Sequence, residues 1–122
     1  MIPYGRQEIT KSDIKEVEKV LRSDFLTQGP VVPKFEKSVA KYCRASYAVA
    51  VNSATSALHI ACLALGLKKG DFLWTSPNTF VASANCARYC GARVDFVDIN
   101  PNTFNMCTEA LSEKLEVAKK KG

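Results

Sequence analysis

Apolar side chains recur along this chain at two different spacings, and the change divides it. In the first third the spacing is helical. Ile14, Val17, Val20 and Leu21 form one stripe behind Thr10, a residue type that caps helix starts. Ser23-Asp24 breaks that helix, and Leu26-Thr27-Gln28-Gly29-Pro30 reads as an irregular loop because Gly-Pro ends regular structure. Phe35, Val39, Tyr42 and Cys43 make a second stripe, with Pro33 in its first turn. Ahead of both helices, Ile2 to Glu8 reads as extended chain.

From Tyr47 short apolar runs alternate with helical spacings. Tyr47 to Val51 predicts a strand, and Ala54, Ala57, Leu58, Ala61, Cys62 and Leu65 predict a helix ended by Gly66. Phe72 to Thr75 predicts a second strand, about Thr79 to Cys90 a helix, and Val94 to Asp98 a third strand. Thr108 is expected to cap a last helix reaching about Lys119, with Glu109 in its first turn. Strands alternating with helices imply βαβ crossovers and a mostly parallel sheet. The expected organisation is a helical segment over 1–45 followed by βαβ units over 46–122. Ligands of such sheets sit beyond the carboxyl ends of the strands. The loops Asn52 to Ser56 and Ser76 to Phe80 both follow predicted strand ends and are therefore expected on one edge.

Composition narrows the class. An apolar fraction of 47% and a charged fraction of 24% over 122 residues fit one soluble globular domain. No apolar run approaches the roughly 20 residues that span a bilayer, so no membrane partner is expected. Met1 to Gly5 carries no basic stretch leading into an apolar core, so no export signal is expected. Five scattered cysteines, an odd number, then read as reduced thiols of a cytoplasmic protein. The net charge of +5 raises nucleic acid as a partner. Lys119-Lys120-Lys121 supplies part of it, the remainder reads as spread among acidic residues on helix faces, and no aromatic-interleaved basic stripe appears. No nucleic-acid partner is expected.

The junction from Val51 to Leu58 carries the chemistry. Ser53, Thr55 and Ser56 place three hydroxyls in four positions at a helix start, where unpaired N–H groups and partial positive charge suit a phosphate. A lone Ser53 would read as a plain helix cap; three hydroxyls after a strand end, with no bulky neighbour, favour anion binding. The junction is neither a Walker motif nor a GxGxxG fingerprint. Phe80, beyond the next strand, is either core or a ring that stacks on a planar ligand. Asn85 points inward or is solvated. His59 has no convincing metal partner, and Cys86 and Cys90 share a helix face without the four ligands of a structural zinc site, so no metal is expected.

Four motifs in order resemble the DegT-type nucleotide-sugar aminotransferases: Leu26-Thr27-Gln28-Gly29, Asn52 to His59, Ser76 to Asn85, and Phe96-Val97-Asp98-Ile99. The resemblance runs from about Tyr4 to the C-terminus and is strongest toward enzymes that aminate a UDP-linked 4-keto-6-deoxy sugar. It implies the N-terminal part of a fold-type-I transferase, a three-layer α/β/α arrangement that binds pyridoxal 5'-phosphate (PLP). On that resemblance Ala54, Thr55 and Ser56 hold the cofactor phosphate and Phe80 stacks on its ring. Tyr4, Thr27 and Gly29 lie near substrate and subunit interface. The partners implied are a nucleotide-linked keto sugar, an amino donor such as glutamate, and a second copy in a homodimer.

One departure from the family pattern is equally informative. The family's Schiff-base lysine and its pyridine-nitrogen aspartate belong to motifs that do not occur in these residues, and Lys119, Lys120 and Lys121 occupy a helix end instead. The chain is therefore expected to be an incomplete front part with no catalytic residue of its own and no transaminase activity. The alternatives are the related sugar dehydratase, in which a histidine replaces the lysine, and a non-catalytic α/β binding domain that kept the fold.

Overall fold

Thr10 opens the first helix through a reciprocal cap. In the computed structural model, which describes residues 2–121, α1 spans Lys11–Leu21. Thr10 Oγ1 accepts the Asp13 N–H at 3.3 Å, and the Asp13 carboxylate accepts the Thr10 N–H at 2.7 Å. The Thr10 N–H foremost, then the Thr10 hydroxyl donating to the same carboxylate at 2.8 Å, hold the Asp13 carboxyl below its ordinary range. α2 spans Val31–Cys43, so Pro33 falls in its first turn as the spacing predicts. It ends where Arg44 turns left-handed (φ 53°, ψ 35°). Among the described residues, no side chain of α1 or α2 is buried.

The chain divides into two units, Met1–Ala50 and Val51–Gly122, where the sequence pattern places its boundary between residues 45 and 46. The second unit holds α3 (Ala54–Ala64), β1 (Phe72–Thr75), α4 (Ala82–Tyr89), β2 (Arg93–Phe96) and α5 (Thr108–Lys121). β1 and β2 pair in parallel, from Phe72 opposite Arg93 to Thr75 opposite Phe96, with α4 as the crossover between them. The α/β class with parallel strands is the one expected. α4 packs on both strands and on α3. The core is small: Cys62, Ala82, Cys86, Ala87, Ala92 and Val97 are the buried hydrophobic residues among those described. Four of the six lie on or beside α4. Small side chains there let the helix approach the strands closely, at the cost of little apolar area per residue. On one side of the helix pair the His59 ring meets Tyr89 edge-on at 5.3 Å.

Four details depart from the sequence pattern. Tyr47 to Val51 is not a strand. A strand needs a neighbour's amides, β1 and β2 pair only with each other among the described residues, and the Ala50 N–H is taken by the Glu36 carboxylate at 2.9 Å. The expected Val94–Asp98 strand is Arg93–Phe96. α4 begins at Ala82 rather than Thr79, because Ser76 to Val81 folds as a bend anchored by Thr79 Oγ1 donating to Ser83 Oγ at 3.1 Å. Thr108 lies inside α5 rather than capping it: the Leu111 N–H bonds the Cys107 carbonyl at 3.0 Å, one residue earlier.

Candidate cofactor site

The turn from Asn52 to Ser56 is ordered by its own side chains. Ser53 is extended (φ −160°, ψ 155°), and its Oγ accepts the Ser56 N–H at 3.2 Å. Ser56 Oγ donates to Asn52 Oδ1 at 2.8 Å and lies 3.0 Å from Ser53 Oγ. The first helical bond runs from the Ala57 N–H to the Ser53 carbonyl at 3.1 Å. Within the first turn of the helix, the N–H groups of Ala54 and Thr55 and the Thr55 hydroxyl remain without a partner among the described residues. They stand at the positive end of α3, and no lysine or arginine occurs between Arg44 and Lys68. Attraction for an anion at this turn therefore comes from backbone amides and the helix dipole rather than from a side-chain cation.

Those donors fit a phosphate monoester. Two amides and a hydroxyl supply hydrogen bonds to its oxygens, and Ala54 adds no bulk that would block approach. Ser56 stands differently: its N–H and its hydroxyl proton already serve Ser53 and Asn52, so it braces the turn from within. Phe80 sits in the bend beyond the carboxyl end of β1 and is 72% exposed, leaving its ring face open for stacking. Asn85 is half-buried in α4.

The remaining sequence-derived candidates fall in the first unit. Tyr4 is fully exposed, and Thr27 is exposed beside Gln28, which takes a positive φ of 53°. Gly29 is required by space: a Cβ there would meet the Phe25 carbonyl oxygen at 2.9 Å. Sequence reasoning gave no role to Asn52, whose carboxamide the structure uses as the brace; an Asn four residues before a Ser across a helix start was the available signal. It also assigned none to Lys114. From α5, Lys114 Nζ pairs with Asp95 at 2.7 Å, bonds the Phe96 carbonyl at 2.6 Å and sits 5.7 Å from the Trp74 ring. The Lys114 hydrogen bond, followed by the Phe96 N–H, keeps the Asp95 carboxyl below its ordinary value. Asp98 is a turn residue, accepting the Ile99 N–H at 2.7 Å.

Parallel βαβ architecture with a donor-rich turn opening α3 defines the class. The chain belongs to the DegT/DnrJ/EryC1/StrS aminotransferase family, whose sequence pattern residues 7–121 match. It is 44% identical over 115 residues to the UDP-4-amino-4,6-dideoxy-N-acetyl-beta-L-altrosamine transaminase of Campylobacter jejuni (strain 81-176), covering 94% of this chain and 30% of that one. A protein of Streptococcus pneumoniae described as a sugar aminotransferase, solved in its PLP form, superposes with a TM-score of 0.88 at 33% identity. That match covers 92% of this chain and 29% of the other. The Escherichia coli GDP-4-keto-6-deoxy-D-mannose-3-dehydratase with bound hydrated PLP superposes with a TM-score of 0.84 at 32% identity, over 91% of this chain and 30% of the other. The family uses PLP. The chain spans about 30% of the length of the curated relatives it matches. No described helix is long and apolar enough to cross a membrane.

Proposed function

We propose that these residues form the cofactor-phosphate-gripping front part of a PLP-dependent transaminase acting on a nucleotide-linked 4-keto-6-deoxy sugar, with an amino donor such as glutamate. The observation that carries the reading is the turn at α3, where the Ala54 and Thr55 amides and the Thr55 hydroxyl are left free at the helix start while the Ser56 N–H and hydroxyl are engaged within the turn. PLP, when bound, supplies the electron sink that amino-group transfer requires. The chain's own share is grip and placement. Thr55 and the two amides hold the phosphate dianion, Ser53, Asn52 and Ser56 keep the turn rigid, and the Phe80 ring offers a stacking face. Tyr4, Thr27 and Gly29 serve the sugar and a second copy in a homodimer, by family analogy.

Proton transfer at the substrate requires a lysine beside the cofactor. Lys119 is paired with Glu116 at 2.9 Å on an exposed helix and Lys120 is exposed, so neither meets that need; the Lys121 side chain lies outside the described residues. Residues 1–122 alone are therefore expected to bind PLP weakly and to catalyse nothing. The test is equilibrium dialysis of PLP against pyridoxal, together with a transamination assay on the chain. Preferential retention of PLP over pyridoxal, without turnover, supports the reading. Amino-sugar product from this chain alone overturns the inactivity, and equal retention of the two overturns the phosphate site. The dehydratase reading stays as the second one because that enzyme superposes nearly as well as the aminotransferase.

A further inference from the structure

The Asn52 side chain bonds only through its oxygen. Oδ1 accepts the Ser56 hydroxyl at 2.8 Å and, more distantly, the Ser53 hydroxyl at 3.4 Å. Its Nδ2 donates to nothing among the described residues. The start of α1 shows what else can fill such a role. There the Asp13 carboxylate accepts the Thr10 hydroxyl, also at 2.8 Å, and the Thr10 N–H at 2.7 Å. A carboxylate is the stronger acceptor, and its charge complements the positive end of a helix. For stability alone, an acid would serve position 52 better than an amide does. Yet nothing in 37–70 is acidic, and the first turn of α3 carries no acid.

A neutral brace has a consequence for ligands. With no lysine or arginine between Arg44 and Lys68, an anion at this turn is held by partial charges alone: the Ala54 and Thr55 amides, the Thr55 hydroxyl and the dipole of α3. The helix end is worth roughly half a positive charge. A full negative charge on residue 52 would exceed it and reverse the sign of the field at the turn. A phosphate monoester carries about 1.5 to 2 negative charges near neutral pH, so it feels that reversal strongly. An uncharged ligand does not.

We propose that Asn52 is a positioning residue that makes the α3 turn selective for a phosphate dianion. Its oxygen holds the Ser56 hydroxyl within the turn, which leaves Thr55 and the two amides to the ligand. Its neutrality leaves the positive helix end uncancelled, and the free Nδ2 hydrogens extend the same positive surface. The inference rests on the reading of this turn as the cofactor-phosphate grip, and adds the residue that sets its charge preference.

The test compares Asn52→Asp and Asn52→Ala with the parent, all as the full chain, by thermal melts and by equilibrium dialysis of PLP and pyridoxal. Asn52→Asp keeps an acceptor for both hydroxyls and should melt no lower than the parent. It should nonetheless lose at least tenfold in PLP affinity with pyridoxal retention unchanged, and the loss should shrink in high salt, which screens the repulsion. Asn52→Ala should melt lower than Asn52→Asp yet hold PLP better. A merely structural brace would rank the two variants alike in both measurements. That common ranking, Asn52→Asp holding PLP as tightly as the parent, or Asn52→Asp losing pyridoxal as strongly as PLP would each overturn the role of Asn52 and leave the cofactor reading intact. A parent chain that retains pyridoxal as well as PLP would sink both.

Discussion

Ser53→Ala and Thr55→Ala each remove one hydroxyl from the same turn, and the structure assigns them opposite consequences. Ser53 Oγ accepts the Ser56 N–H at 3.2 Å and is the side-chain cap of α3. Its removal leaves an orphan donor at the helix start, worth about 1 kcal/mol of stability. For a cooperative unit of this size that corresponds to a melting-temperature drop of roughly 4–8 °C. Thr55 Oγ1 has no partner among the described residues, so its removal breaks no bond in the folded chain, and alanine is the better helix former. Stability should therefore stay within about 0.5 kcal/mol of the parent. The cost appears in ligand binding instead. A hydroxyl donating to a phosphate dianion is worth roughly 1.5–3 kcal/mol, or about a 10- to 150-fold loss in affinity for PLP. Thermal melts and equilibrium dialysis on the same three proteins read both quantities, with pyridoxal as the control that lacks the phosphate. Thr55→Ala melting as low as Ser53→Ala, or losing pyridoxal as strongly as PLP, would refute the division of labour between the two hydroxyls.

Other outcomes follow from the core and the α5 contact. Val97→Ala removes two carbons from a side chain that is 2% exposed and should cost roughly 2–3 kcal/mol, read as a lower urea midpoint. Burial, reinforced by Cys86 and Cys90, pushes the Cys62 thiol up to about 11. Iodoacetamide at pH 8 should therefore label exposed Cys43 in the folded protein and reach Cys62 only after denaturation, as peptide mapping will show. Because the folded thiol titrates above the ordinary cysteine value of about 8.5, its contribution to stability is full below that pH. It is lost as pH rises toward 11, a loss that denaturation midpoints across the range will register. Asp95 has the opposite sign: its folded carboxyl is depressed, so its contribution is present above about pH 3.9 and fades as pH falls further. Lys114→Met should return the Asp95 titration, followed by NMR, toward the ordinary aspartate value; an unchanged midpoint would show that Lys114 is not its cause.

Much of the local structure was legible because short-range chemistry wrote it. Thr10 before a helical stripe announced a capped helix, and Phe72 to Thr75 was bounded correctly because the Lys69-Gly70-Asp71 turn and Ser76-Pro77 close it on both sides. The donor-rich turn at α3 was legible for the same reason, since small hydroxylated residues at a helix start have few other uses. The division of labour inside that turn was not. Which hydroxyl faces inward depends on Asn52 reaching across a full helical turn to Ser56, a contact that spacing permits and only packing selects.

The strand expected at Tyr47 to Val51 shows the limit most clearly. Its apolar, β-branched run carries the local preference, yet a strand exists only when another backbone offers amides and carbonyls in register. Here the Glu36 side chain takes the Ala50 N–H, and the segment joins no strand ladder. By itself the sequence determined where α1 and α3 start, where the turns bounding β1 fall and where hydroxyls cluster at a helix start, since each rests on neighbours a few positions apart. Only the tertiary structure decided which extended segment became a strand, which donors stayed free for a ligand and which lysine found Asp95, since each required partners distant along the chain.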